Sequence, residues 1–269
     1  MMEDLENIDN ESFSEIVSEQ NSKSSSISGK NKSNILNKNN KKTRNIEIIP
    51  EITTKADLSF KIILIGDMYS GKSSLVSTVV KNTFEPIYNA TIGFDTVPLL
   101  VKINDTILKL QIWDTCGQEI YKSLIKNFYR ESSLVIMVYS IDNKESFENI
   151  SEWLKEIKTS SNSNAKLFLI GNKNDLEKER EVSYEEARQF AINSEFCKFF
   201  ETSAKTGTNV QKTFYEAANV LYDEYFNITQ SLSNDFSSLS NIKESILINN
   251  YNESINAIKG KSKRKRDCC

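Results

Sequence analysis

Histidine is missing from all 269 residues, and the four cysteines, Cys116, Cys197, Cys268 and Cys269, form no Cys-x-x-Cys pair. That combination argues against a structural zinc site. Nor do these positions make a disulfide framework, so a reducing compartment is expected. An excess of one charge is missing too: 34 Lys and Arg against 37 Asp and Glu leave a net charge of −3, with no global electrostatic case for nucleic-acid binding. Long apolar runs are absent, and the stretch at 134–139 is far too short to span a bilayer. Residues 1–20 are acidic and polar, without the hydrophobic core of a signal peptide. Any membrane contact is therefore expected from the cytosolic side, by another device. A hydrophobic fraction of only 38% argues for tails around a smaller core rather than two full domains.

The tails are legible in composition. Residues 1–57 are rich in Ser, Asn, Lys and Glu, acidic first and basic from Lys23 to Arg44. Such a segment buries too little apolar surface to offset its ordering entropy and is expected to be disordered. Residues 227–269 are again Ser/Asn-rich and read as a flexible tail. Between them the texture changes. Short β-branched runs at 60–65, 134–139 and 166–170, with a weaker one at 198–202, read as buried strands. Residues 96–103 and 106–113 flank Asn104-Asp105, a plausible hairpin turn. Helices are expected at 72–82, 146–159, 183–194 and 210–226, with Ser183 and Glu186 as a capping box. Strands alternating with helices point to an α/β sheet covered on both faces, whose ligands bind beyond the carboxyl ends of the strands.

Gly66-Asp67-Met68-Tyr69-Ser70-Gly71-Lys72-Ser73 lies between an expected strand and an expected helix and matches G-x-x-x-x-G-K-[ST]. The backbone amides of such a loop point inward and bind phosphate oxygens, helped by the helix N-terminus. Lys72 would reach the β- and γ-phosphates, and Ser73 would place its hydroxyl on Mg²⁺. Ser70 and Ser74, which flank Gly71-Lys72-Ser73, are assigned to the nucleotide with them. Asp114-Thr115-Cys116-Gly117-Gln118-Glu119 follows a further strand. There Asp114 can hold Mg²⁺ through its water shell, Gly117 can bring its N–H to the γ-phosphate, and Gln118 can orient an attacking water as the catalytic residue.

Asn172-Lys173-Asn174-Asp175 follows the strand ending near Ile170. Asp175 can accept two hydrogen bonds from the N1 and N2 groups of guanine. Adenine has an acceptor at N1 and nothing at N2, and a site of this type discriminates by roughly 10⁴–10⁵. Ser203-Ala204-Lys205, after the weak strand, can offer a backbone amide to guanine O6. Each motif alone also fits an ordinary polar turn. In this order, each after a strand, the four reinforce one another.

With these motifs in place, residues 58–226 resemble a Ras-superfamily small GTPase, most closely the Rab branch. Ile92-Gly93-Phe94-Asp95, the run from Lys109 to Thr115, Val138-Tyr139 and the run from Glu201 to Lys205 carry the likeness. It implies a P-loop G domain with a six-stranded, mostly parallel sheet containing one antiparallel strand. It further implies GTP and GDP as bound nucleotides, with Thr91 as the switch residue that joins Mg²⁺ and senses the γ-phosphate. Phe84 would pack on the guanine and Tyr88 would cover the phosphates. Partners implied by the likeness are an exchange factor, an activating protein, effectors, a prenylation escort and a GDP-dissociation inhibitor, acting on a monomer.

Some residues depart from the family's pattern. Met68 and Tyr69 stand where small residues are usual, beside the γ-phosphate, and Tyr69 would be strained if its position demands φ > 0. Cys116 replaces the usual alanine, and Ile120-Tyr121-Lys122 and Glu131-Ser132 also differ from the family's usual residues. These bulky loop residues suggest slow hydrolysis, with a GTP-binding scaffold that hardly turns over as the alternative. A nucleotide kinase shares the P-loop, but Asn172-Lys173 with Asp175, and the lack of an Arg-rich lid, count against it. At the C-terminus, Lys261, Lys263, Arg264, Lys265 and Arg266 precede Asp267-Cys268-Cys269. A terminal Cys-Cys resembles the doubly geranylgeranylated Rab ending, and two lipid chains suffice for stable anchoring where one is marginal. A nuclear-localisation or nucleic-acid patch is the rival reading of the basic cluster. The expectation is a protein of vesicle transport, on the cytoplasmic face of an intracellular membrane with a cytosolic pool.

Overall fold

The computed structural model describes residues 44–50, 55–85, 93–115, 131–160 and 165–231. The chain divides into a unit up to Leu221 and a second unit from Tyr222 onward. The first unit is built on one sheet of seven strands: β1 (Ile46–Ile49), β2 (Leu58–Ile65), β3 (Phe94–Ile103), β4 (Thr106–Thr115), β5 (Leu134–Ser140), β6 (Lys166–Asn172) and β7 (Lys198–Glu201). Their spatial order is β1-β3-β4-β2-β5-β6-β7. β3 runs antiparallel to both β1 and β4, and every other neighbouring pair is parallel.

Six strands were expected and there are seven, because the segment taken as disordered contains β1. Ile46, Ile48 and Ile49 gain a half-buried position by pairing with β3, in the register Ile46↔Ile103 to Ile49↔Leu100. A Glu47–Lys102 ion pair lies along the same ladder. The hairpin between β3 and β4 turns at Asn104-Asp105 as expected. Asn104 sits there at φ 53°, a conformation that asparagine tolerates better than most residues.

All seven side chains of β5 are buried, as a continuous apolar run between parallel neighbours requires. Tyr139 from this strand, with Phe147, Trp153 and Phe196, is central to the apolar core on one face of the sheet. The helices are α1 (Lys72–Lys81), α2 (Lys144–Glu148), α3 (Ile150–Ser160), α4 (Tyr184–Asn193) and α5, residues 210–221. One helix was expected where α2 and α3 stand. Asn143 starts the first by accepting the Ser146 N–H, and the two meet at Asn149, whose side chain bonds elsewhere. Ser183 caps α4 through the Glu186 N–H, while the Glu186 carboxylate pairs with Lys144. In the second unit, residues 222–231 are helical, with the Tyr222 and Phe226 rings 4.4 Å apart. Among the described residues, no helix is long and apolar enough to cross a membrane.

Candidate functional site

The carboxyl ends of β2, β4, β5 and β6 lie side by side, so the loops after them share one end of the sheet. The loop after β2 crosses closely over β5. Gly66 has φ 139°, and a Cβ there would stand 2.0 Å from the Val138 carbonyl oxygen. At the start of α1, Gly71 has φ 93°, and a Cβ would meet Asn172 Nδ2 at 2.2 Å. Both glycines are therefore required by space as well as by conformation.

Lys72 is only 5% exposed. Its Nζ donates to the carbonyl oxygens of Gly66 at 3.0 Å and Asp67 at 2.8 Å, which holds a positive charge within the loop. Ser70 Oγ also donates to the Asp67 carbonyl, at 2.9 Å. The Asp67 carboxylate is anchored from another element. It accepts Asn149 Nδ2 at 2.7 Å and Trp153 Nε1 at 2.9 Å. Sequence reasoning missed this anchor, because both donors lie more than eighty residues along the chain.

Asn172 joins three segments and is 1% exposed. Its Nδ2 donates to the Ser70 carbonyl at 2.9 Å, and its Oδ1 accepts Ala204 N and Thr202 Oγ1, each at 3.2 Å. Lys173 follows at φ 67° and pairs with Asp142 at 3.5 Å. Asp175 accepts Ser203 Oγ at 2.5 Å and lies 3.6 Å from Lys205 Nζ. Thr78 of α1 donates to the Ala204 carbonyl at 2.8 Å. A brace stands behind these loops. Arg180 makes a bidentate pair with Glu201 at 2.6 and 2.8 Å and also binds Glu177. Glu201, then Glu177, hold the guanidinium well above its ordinary pKa, and Arg180 in turn lowers that of Glu177. This ties the segment after Asp175 to the strand before Ser203.

Gly71, Ser73, Ser74 and Phe84 border one cavity of about 550 Å³, together with Asn172, Lys173, Asp175, Ala204 and Lys205. Phe84 is 39% exposed at its edge. Tyr69 borders it as well, at φ 66°, so the conditional strain is present. A bulky side chain in that left-handed conformation costs about 1–2 kcal/mol. Glu131, at a further departure from the family's pattern, is likewise left-handed at φ 64°.

Asp114 is buried near the end of β4, opposite Leu64 of β2, and Thr115 Oγ1 donates to the Leu64 carbonyl at 2.7 Å. The hydroxyl of Ser73 and the carboxylate of Asp114 are hard oxygen donors of the kind Mg²⁺ takes. Tyr88, Thr91, Gly117 and Gln118 lie outside the described residues, as do Cys116, Cys268 and Cys269.

The chain matches the Ras family over residues 61–223. It is similar to the Ras-related protein Rab-1 of Theileria parva, with 44% identity over 179 residues, 66% of this chain and 80% of that protein.

Proposed function

The chain belongs to the Ras family as a Rab-like small GTPase, and from that we propose that it recruits effectors to a membrane in vesicle transport while GTP is bound. Proteins of this family bind GTP or GDP with Mg²⁺, hydrolyse GTP to GDP and work with regulators and effectors. The observation that carries the site assignment is the shared cavity, lined both by the glycine-built loop at Gly71 and by Asp175. Its volume suits one nucleotide.

Each residue has a role in that reading. Lys72 and the loop amides hold the phosphates, with Ser70 and Ser74 beside them. Asp175 reads the Watson–Crick edge of guanine, Ala204 offers its amide to O6, and Lys173 and Phe84 flank the base. Asn172 and Ser203 keep these loops in register. Ser73 and Asp114 would hold Mg²⁺, with Thr91, and the ion supplies charge neutralisation across the β- and γ-phosphates. Tyr88 covers the phosphates, Gly117 senses the γ-phosphate and Gln118 orients water.

Hydrolysis is slow in this reading, because Met68 and Tyr69 crowd the γ-phosphate side while binding rests on other residues. The test is single-turnover GTP hydrolysis by the full chain beside Met68→Ser/Tyr69→Gly. A slow parent and a faster double variant support a brake. Equal, ordinary rates in both refute it, and no hydrolysis in the parent favours the scaffold reading. Cys268 and Cys269 carry two geranylgeranyl chains in this proposal, delivered by a prenylation escort and covered in the cytosol by a GDP-dissociation inhibitor. Lipid attachment is read by mass, and Cys268→Ser/Cys269→Ser should move the protein off the cytoplasmic face of its membrane.

A further inference from the structure

In the loop between β2 and α1, the backbone and the side chain of Tyr69 make opposite demands. At φ 66° a glycine would sit without strain, yet the chain carries one of its largest side chains there. Strain of this kind persists where surrounding structure enforces it, and it gathers at ligand clamps and switch segments. The ring is not a core element: Tyr69 is 59% exposed. It borders the same cavity as Gly71, Ser73 and Asp175. A ligand in the cavity would cover it.

The flanking residues are held firmly. The Asp67 carboxylate is pinned by Asn149 and Trp153, and the Ser70 carbonyl is pinned by Asn172. Tyr69 thus projects from a short span anchored at both ends. A phenol held in this way offers one O–H donor to an anionic ligand and an apolar ring that excludes water from it.

We infer that Tyr69 is a nucleotide-retaining side chain, which closes over the phosphate chain and slows release of bound GDP. This rests on the guanine-nucleotide reading of the cavity. It differs from the hydrolytic brake, since it concerns how long a nucleotide stays rather than how fast the γ-phosphate leaves. It also assigns a gain to the strained backbone: residence of the ligand is obtained at the expense of the resting loop.

The experiment is release of a fluorescent GDP from the full-length protein, in Mg²⁺ and excess unlabelled GDP, for the parent, Tyr69→Phe and Tyr69→Gly. Release should quicken about tenfold or more in Tyr69→Gly, the loss expected for one hydrogen bond to a charged group. Tyr69→Phe should fall between, because it keeps the ring and loses the donor. Competition by guanosine, which lacks phosphates, should be unchanged in both variants; a purely structural role for Tyr69 would move guanosine and GDP together. If the parent holds GDP and both variants release it at the parent's rate, the inference is overturned and the nucleotide site stands. If guanosine and GDP weaken in parallel, the inference is again overturned. If the parent holds no guanine nucleotide, the reading of the cavity falls and this inference falls with it.

Discussion

Asn172 donates its Nδ2 to the Ser70 carbonyl across 2.9 Å, which joins the end of β6 to the phosphate loop. The contact is close enough that any side chain at position 71 would strike the same amide. The Ser70 loop and residues 202–204 are therefore tied together through one side chain. Asn172→Ala removes the partner of Ser70 O, Ala204 N and Thr202 Oγ1 together. The expected loss is about 3 kcal/mol of stability, with weakened nucleotide retention, measured by urea unfolding and fluorescent-GDP release. A loss below about 1 kcal/mol would show that water replaces these bonds freely.

Asp175→Asn should act on selectivity more than on folding. Asparagine keeps the shape but turns one acceptor into a donor, facing the N–H groups of guanine. The preference for GTP over ATP should fall by at least about 100-fold, a part of what such a polar site supplies. Competition of ATP against fluorescent GTP measures it, and an unchanged ratio would remove Asp175 from the reading of the base.

Trp153→Phe removes the Nε1 donor to the Asp67 carboxylate and leaves Asn149 as the remaining anchor. Hydrogen bonds to charged groups contribute about 1.5–3 kcal/mol, so a destabilisation of about 2 kcal/mol is expected. Amide exchange should quicken in the loop around Asp67 before it does in β5. Uniform quickening instead would mean that the tryptophan only fills space.

Tyr139 is fully buried, and its hydroxyl has no hydrogen-bond partner among the described residues. Burial, with Glu201 adding to it, pushes its pKa well above the ordinary phenol value. The unfolded chain therefore releases this proton first as pH rises. Folding stability from the group is complete below about pH 10 and declines above it. Tyr139→Phe should be neutral or stabilising by about 1 kcal/mol at pH 7, and the gap should widen at pH 11. Chemical unfolding at the two pH values decides; a variant less stable than its parent at pH 7 would point to a bridging water.

Much of this architecture was legible because its chemistry demands fixed spacing. Gly66 and Gly71 were expected between a strand and a helix and lie there, with Lys72 opening α1. Asn172 was expected just after a strand ending near Ile170, but β6 runs on through Asn172, and Asp175 lies beyond it. The Asn104 turn was readable for the same local reason. Asp67 gave no such signal, since its meaning depends on Asn149 and Trp153, which only the folded chain brings near. The left-handed backbone at Tyr69 and Glu131 was legible only as a departure from residue types usual at those places. β1 was hidden because its isoleucines span only four residues in polar company, too short a run to stand out until a partner strand is present.

That short strand bears on where the chain can be cut. β1 closes the outer side of β3 over residues 100–103. A fragment starting at residue 58 would keep every loop of the cavity but leave that ladder bare. Bare β-ladders pair with other copies of themselves. Such a fragment should bind nucleotide normally and still form concentration-dependent oligomers, which a fragment starting at Arg44 would avoid.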